Sequence, residues 1–395
     1  MRRHPRAPDE KSIINEHSLD LGERPLGIVL SGGGSRAAYQ VGALKALIPY
    51  FETSKQPIKV IVGSSIGALN GLLLAACLNK GIATSVEELE LLWRERTFRN
   101  TFKGSPSHAF LRAIRMGMMQ YLSPGPKPTD SAIFDPSPLM GRLDSAMRSY
   151  GGLMPEVREP SLSAVAVMTT IEGTTRKPML FASTHKHLDR DILKGASFEI
   201  SYVDELTAKH GFASAALPSV LPPVELDTDL GRVRLVDGGI SQNVPVDPAA
   251  RLGAEKVIVV DVSGRNWWLD HFGEAHDTRP TWEIPADFET FCMRPPEIFV
   301  TRCQGAIGSL LKSVATRSTR QFISAVGPTW PVFQLLKKKL GEDVAYEAMT
   351  YVALDPDYIQ GLIELGYNET RALLRNRDQV EFVQHNNYTQ TIKGI

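Results

Sequence analysis

The sequence lacks an excess of charge of either sign. Lys plus Arg and Asp plus Glu number 44 each across 395 residues, so no net field draws a polyanion and no nucleic-acid partner is expected. Cysteine is scarce: Cys77, Cys292 and Cys303 are odd in number and show no CxxC spacing, and no histidine cluster has zinc-ligand spacing. Disulfide frameworks and structural zinc are therefore not expected. Long apolar runs are missing as well. The longest, IGALNGLLLAACL at 66–78, makes about 20 Å of helix where a membrane span needs roughly 20 residues, and reads as a core helix. The opening MRRHPRAPDEKSIINEHSLDLGERPL has two arginines but no apolar stretch behind them, unlike a secretory or twin-arginine leader. With neither signal peptide nor transmembrane helix in view, the expectation is a cytoplasmic chain.

What is present is enough to bury a core, with 43% hydrophobic and 22% charged residues. Residues 1–24 read as a polar extension. LGIVL at 26–30 then reads as a buried strand, followed by a helical stripe through Ala37, Val41, Leu44 and Ile48. IKVIVG at 58–63 is a second buried strand, followed at once by the apolar helix from Ile66. Two strand–turn–helix units with unbroken apolar strands predict an α/β fold built on a parallel, doubly covered sheet. Further strands are predicted at 162–170, 178–183 and 255–262, a helix over 203–215, and a hairpin over 224–239 turning in DTDLG. The α/β body spans 25–265.

The segment 85–150 interrupts this rhythm as a helical insertion. Ser85 and Glu88 have capping-box spacing ahead of VEELELLWRERT. The Met- and aromatic-rich stretch 108–122 reads as an amphipathic helix on the sheet or as a flap over a lipid site. Residues 266–395 form a mostly helical C-terminal region, with a last helix starting at Asp355 and Pro356 suited to its first turn. Between Arg294 and Leu340, eight Lys or Arg face the single acid Glu297. Such a block is either a solvated helix face or a peripheral contact for anionic membrane lipid.

Two turns carry the chemistry. In VGSSIG (62–67), Gly63-x-Ser65-x-Gly67 lies between a strand and a helix, the setting of a nucleophile elbow. The serine there occupies a strained exposed turn, and glycines two residues either side let strand and helix approach. Ser64 lacks glycines at both offsets. In GIVLSGGGSRAAYQVGALKAL (27–47), the N–H groups of Gly32, Gly33 and Gly34 at a helix start can face an oxyanion together with the N–H of Ile66. The rival for these glycines is dinucleotide binding, since Gly32-x-Gly34-x-x-Ala37 fits a loose G-x-G-x-x-G/A pattern. That reading wants an acid at the end of the next strand, which instead ends in Gly63, Ser64 and Ser65, while Glu52 precedes the strand. No cofactor and no metal is called for.

The base is harder to find. His185 and His187 lie in a polar loop, His210 ends a predicted helix, and His271, His276 and His385 fall outside the α/β body. In LVDGGISQNVPVDP (235–248), Asp237 closes an apolar strand against Gly238 and Gly239, a turn that presents its carboxylate at the sheet edge. Partial burial would raise its pKa and make it a better base. A plain Asp-Gly hairpin turn explains the same dipeptide.

In this order, the glycine loop with Arg36, the GSSIG elbow and the D-G-G element resemble the patatin-like phospholipases. SAALPSVLPPV (214–224) and NVP (243–245) extend the likeness, which covers roughly 26–265. The resemblance implies a three-layer α/β/α fold with a mainly parallel central sheet and a lipid acyl hydrolase with a Ser–Asp dyad and no histidine. It implies Ser65 as nucleophile, Asp237 as base, and Gly32, Gly33, Gly34 and Arg36 as the oxyanion loop. Arg36 can serve the loop, the developing charge or a structural salt bridge. Ala37 stands where the family commonly has glycine. The expected function is a serine phospholipase A, lysophospholipase or esterase acting through an acyl-enzyme on a lipid or acyl-ester substrate. The alternative is a catalytically silent lipid-binding or membrane-scaffold protein on the same fold. Oligomeric state is not legible.

Overall fold

The structure, a computed structural model, describes residues 24–53, 57–103, 132–173, 175–185, 196–263, 296–303 and 307–375, with the backbone of 383–384. The segment 108–122, read as a helix or flap, lies outside the described residues.

Among the described residues ten strands form one sheet: β1 (Leu26–Leu30), β2 (Ile58–Ser64), β3 (Ala164–Ile171), β4 (Pro178–Thr184), β5 (Glu199–Tyr202), β6 (Val224–Thr228), β7 (Gly231–Asp237), β8 (Lys256–Asp261), β9 (Glu297–Arg302) and β10 (Val383–Gln384). Their order is β10-β9-β8-β1-β2-β3-β4-β5. From β9 through β8, β1 and β2 to β3 every pairing is parallel. The β6–β7 hairpin joins antiparallel, β7 pairing with the end of β3.

Alternation along each strand sends side chains to two separate cores, which makes the architecture three-layered. Ile28 and Leu30 of β1 point to a large core containing helices α1 (Ala38–Thr53) and α2 (Ile66–Cys77). Val29, Val60 and Val62 point to the other face, where Val244, Val246, Ala249 and Leu252 cover them. The large face also carries α3 (Ile82–Arg94), with a short α4 (Phe98–Thr101), α5 (Ser137–Ser149) and α6 (Ala208–Ser214). Helix α7 (Val246–Arg251) lies on the opposite layer, and the C-terminal region supplies α8 (Ile307–Arg317), α9 (Thr319–Val326), α10 (Trp330–Leu340), α11 (Glu342–Met349) and α12 (Pro356–Arg375).

Beyond residue 265 the chain returns to the same body. β9 extends the parallel sheet beside β8, and α12 lies along α1 so closely that a Cβ at Gly42 would sit 1.8 Å from the Ile363 carbonyl oxygen. This explains a departure from the predicted stripe on α1: Tyr39 and Ala43 are buried as well as Val41 and Leu44, because α12 covers the outer face, while Gln40 is buried on the sheet side and donates to the Ser31 carbonyl. Asp355 starts α12 as expected, its carboxylate accepting the N–H groups of Asp357 and Tyr358 at 3.0 Å each.

Two local expectations are corrected. Ser85 does not cap α3, which already begins at Ile82 after Gly81 (φ 93°). Ser85 is buried within the helix and donates to the Gly81 carbonyl, while Glu88 accepts from the Tyr150 hydroxyl. The helix predicted over 203–215 is confined to Ala208–Ser214, because Thr207 sets the helix start by a reciprocal cap with His210.

Candidate active site

Strand β2 ends at Ser64, and the chain turns through Ser65 at φ 53°, ψ −131° before entering α2. A non-glycine residue with positive φ is strained, and the strain is held by what packs around it. A Cβ at Gly63 would lie 2.4 Å from the Gly67 carbonyl oxygen, and one at Gly67 would lie 2.4 Å from that of Leu30. The glycines at both offsets are thus needed for strand and helix to close. Ser65 donates its own N–H to Ser214 Oγ at 2.8 Å. Ser64 turns away, its hydroxyl donating to the Gln242 carbonyl.

Strand register brings the carboxylate to this turn. The parallel pairing of β2 with β3 ends at Ser64 opposite Met168, and the antiparallel pairing of β7 with β3 begins with Asp237 opposite Thr169. Two strands entering from opposite ends of β3 therefore terminate at adjacent positions along it. Ser65 Oγ donates to Asp237 Oδ2 at 2.6 Å, and Asp237 Oδ1 accepts the Gly239 N–H at 2.7 Å. Asp237 is 5% exposed, and burial pushes its pKa up from 3.8 to about 6 against the lowering effect of those two bonds. Gly238 packs on the Met168 carbonyl, where any side chain would collide.

The glycine loop faces this pair. Gly32 lies against Ser65, a Cβ there falling 2.7 Å from the serine Cβ. Its N–H donates to the Asn243 carbonyl at 3.3 Å, and the Asn243 side chain donates back to the Gly32 carbonyl. The N–H groups of Gly33, Gly34 and Ile66 have no hydrogen-bond acceptor among the described residues. Around them is a cavity of about 440 Å³, with Leu69, Phe98, Phe134, Leu139 and Phe212 among its mostly apolar lining.

Residues 28–250 match the family model described as patatin-like phospholipase. The chain belongs to the patatin-like phospholipase family. Patatin-like phospholipase domain-containing protein 7 of Mus musculus is 26% identical over 271 residues, 68% of this chain and 16% of that protein. Lysophospholipase nte1 of Aspergillus terreus is 52% identical over 52 residues, 13% of this chain and 3% of that one. The chain spans only a small part of the length of these relatives. Among solved structures, human GIVD cytosolic phospholipase A2 aligns with a TM-score of 0.45 at 11% identity, covering 98% of this chain and 65% of that chain. VipD from Legionella pneumophila aligns at 0.39 and 14% identity, covering 89% and 67%.

In this patatin-like chain, sequence reasoning missed what holds the glycine loop. Arg36 is 1% exposed and ion-pairs with Glu347 at 2.6 Å; its Nε donates to Thr350 Oγ1 at 2.7 Å, and its guanidinium lies 3.8 Å from the Tyr351 ring centroid. The Tyr351 carbonyl accepts the Ser35 N–H at 2.8 Å, and Tyr351, Val352 and Leu354 line the cavity. Arg36 is thus a buried salt-bridge partner of α11, and the C-terminal region closes one wall of the site. No motif at 342–354 signals this. Ser214 and Asn243 fall within the family-like stretches 214–224 and 243–245, but nothing in the sequence gives either a role.

Of the histidines, His185 and His210 are described, and neither lines the cavity or bonds to Ser65 or Asp237. Burial lowers the His210 pKa to about 4, with the Lys209 charge adding to it. Four of the seven described cations in the basic block are paired: Arg302 with Asp261, Lys312 with Asp343, Arg317 with Asp357 and Lys337 with Glu342, while Arg320, Lys338 and Lys339 are exposed. Among the described residues no helix is long and apolar enough to cross a membrane.

Proposed function

We propose that this chain is a serine lipid acyl hydrolase of the phospholipase A, lysophospholipase or esterase type, with Ser65 as nucleophile and Asp237 as general base. The observation that carries the reading is the 2.6 Å hydrogen bond from a strained, positive-φ serine to a buried carboxylate whose pKa is about 6. A base of that strength is ionised at neutral pH and still accepts a proton as the hydroxyl attacks.

As Ser65 Oγ adds to the acyl carbonyl, its proton passes to Asp237. The oxyanion forms against the unengaged N–H groups of Gly33, Gly34 and Ile66, one such donor being worth about 3–4 kcal/mol in serine hydrolases. Gly32 contributes by close approach instead, its own N–H being held by Asn243. Collapse expels the alcohol, which takes the proton from Asp237, and leaves an acyl-enzyme. Asp237 then takes a proton from a water that attacks the acyl carbonyl, and returns it to Ser65 Oγ as the fatty acid leaves. The apolar cavity suits a fatty-acyl chain, and the relatives' names, a phospholipase-domain protein and a lysophospholipase, agree with that substrate class. The scaffold alternative keeps part of its motive, since three described cations of the basic block, Arg320, Lys338 and Lys339, are exposed, but it gives no use to the bond between Ser65 and Asp237.

The test is hydrolysis of medium- and long-chain acyl esters by wild type and Ser65→Ala. The proposal expects activity in the first and none above background in the second, with both folded. Equal rates would refute it.

A further inference from the structure

The turn between α3 and α4 carries a cation that the chemistry above does not use. Arg96 is 3% exposed and lines the same cavity as Ser65. Its Nε and Nη2 have no hydrogen-bond partner among the described residues. No carboxylate pairs with it there: the neighbouring Glu95 turns to Arg142. Burial, reinforced by the like charge of Arg142, lowers its pKa to about 9, so it remains a cation at neutral pH.

The guanidinium is also held in place. It stacks over Trp93, 3.9 Å from the ring centroid, and the Trp93 indole N–H donates to Asn70 Oδ1 at 2.9 Å. Asn70 in turn donates to Gln40 and to the Ala37 carbonyl. Among the described residues lining the cavity, Asp237 and Arg96 alone carry charge, and Asp237 is committed to Ser65. A buried cation without a counter-charge is costly, and the cost falls when an anion enters. A guanidinium is a planar fork that matches two oxygens of a phosphate at once, most strongly where water is excluded.

We propose that Arg96 recognises a phosphoester on the lipid substrate, so that the site selects acyl esters bearing a phosphate over neutral glycerides. This rests on the hydrolase reading and names the residue that reads the head group. Phe98, Phe102 and Phe134 pack together and line the same cavity; in this reading they take the chain while Arg96 takes the anion.

The test compares kcat/KM on lysophosphatidylcholine and on a 1-monoacylglycerol of the same chain length. Wild type should favour the phospholipid. Arg96→Gln should lower that selectivity ratio by about 10- to 100-fold, the range of a charge-assisted hydrogen bond, and Arg96→Lys should restore part of it. An unchanged ratio in Arg96→Gln overturns the proposal, and a ratio is insensitive to partial misfolding. A second arm needs no turnover: calorimetric binding of an ether-linked lysophosphatidylcholine, a 1-O-alkylglycerol and inorganic phosphate. Tighter binding of the phosphate-bearing ether, lost in Arg96→Gln, supports the proposal even if neither ester is hydrolysed, in which case the hydrolase reading alone fails. Equal binding of the two ethers, or Arg96-dependent binding of inorganic phosphate alone, overturns it.

Discussion

Arg36 and Glu347, 311 residues apart in the chain, form an ion pair of 2.6 Å in which the arginine is fully buried. The pair joins the glycine loop to α11, and Glu347 also accepts the Gly308 N–H at 2.8 Å. Removing one partner of a buried pair typically costs about 3–5 kcal/mol because the other charge is stranded. Glu347→Gln keeps the shape and one acceptor, so it should lose about 2–3 kcal/mol in urea unfolding. On the proposed mechanism its kcat should fall more than its KM rises, since the loop amides would serve the oxyanion rather than the bound ester.

Asp237 makes a prediction about pH. Its folded pKa, about 6, lies above the 3.8 of a free aspartate, so the folded state holds this proton more tightly than the unfolded state. The contribution to stability is therefore whole below about pH 4 and lost as pH rises through about 6, a difference of about 3 kcal/mol. On the proposed mechanism activity should run the other way, rising through about pH 6 as Asp237 ionises. Asp237→Asn should unfold at an equal or higher temperature than wild type at pH 7.5, while turnover drops by about 100-fold or more. Calorimetry and initial rates over pH 4–8 check both halves.

Two glycines separate strain from space. Gly67→Ala would set a methyl 2.4 Å from the Leu30 carbonyl oxygen, so it should abolish activity or folding. Gly141, within α5, has open space where a Cβ would go, with nothing within 4 Å, and should tolerate alanine. Gly141→Ala should raise stability by about 0.5–1 kcal/mol through helix propensity, with rates unaffected. Paired thermal melts and ester assays distinguish the two.

The parts of the site legible in the sequence are those whose requirement is local. Gly63 and Gly67 mark the elbow because backbone contact on both sides of Ser65 demands them, and Asp237 is marked by the two glycines after it. The register that seats Asp237 one position beyond Ser64 along β3 depends on strand pairing across more than a hundred residues, and it leaves no local pattern. The same holds for Glu347, Thr350 and Tyr351, which reach the glycine loop only once α12 has packed on α1. The Ser85 reading failed because capping-box spacing also occurs inside a helix, where Gly81 sets the start.

The central claim is that Ser65 is the nucleophile activated by Asp237, and covalent labelling tests it most directly. After treatment with a fluorophosphonate bearing an alkyl chain, peptide mass spectrometry should find one adduct, on the peptide containing Ser65, absent in Ser65→Ala and formed much more slowly in Asp237→Asn. An adduct on a different residue, or labelling of Asp237→Asn at the wild-type rate, would contradict the account.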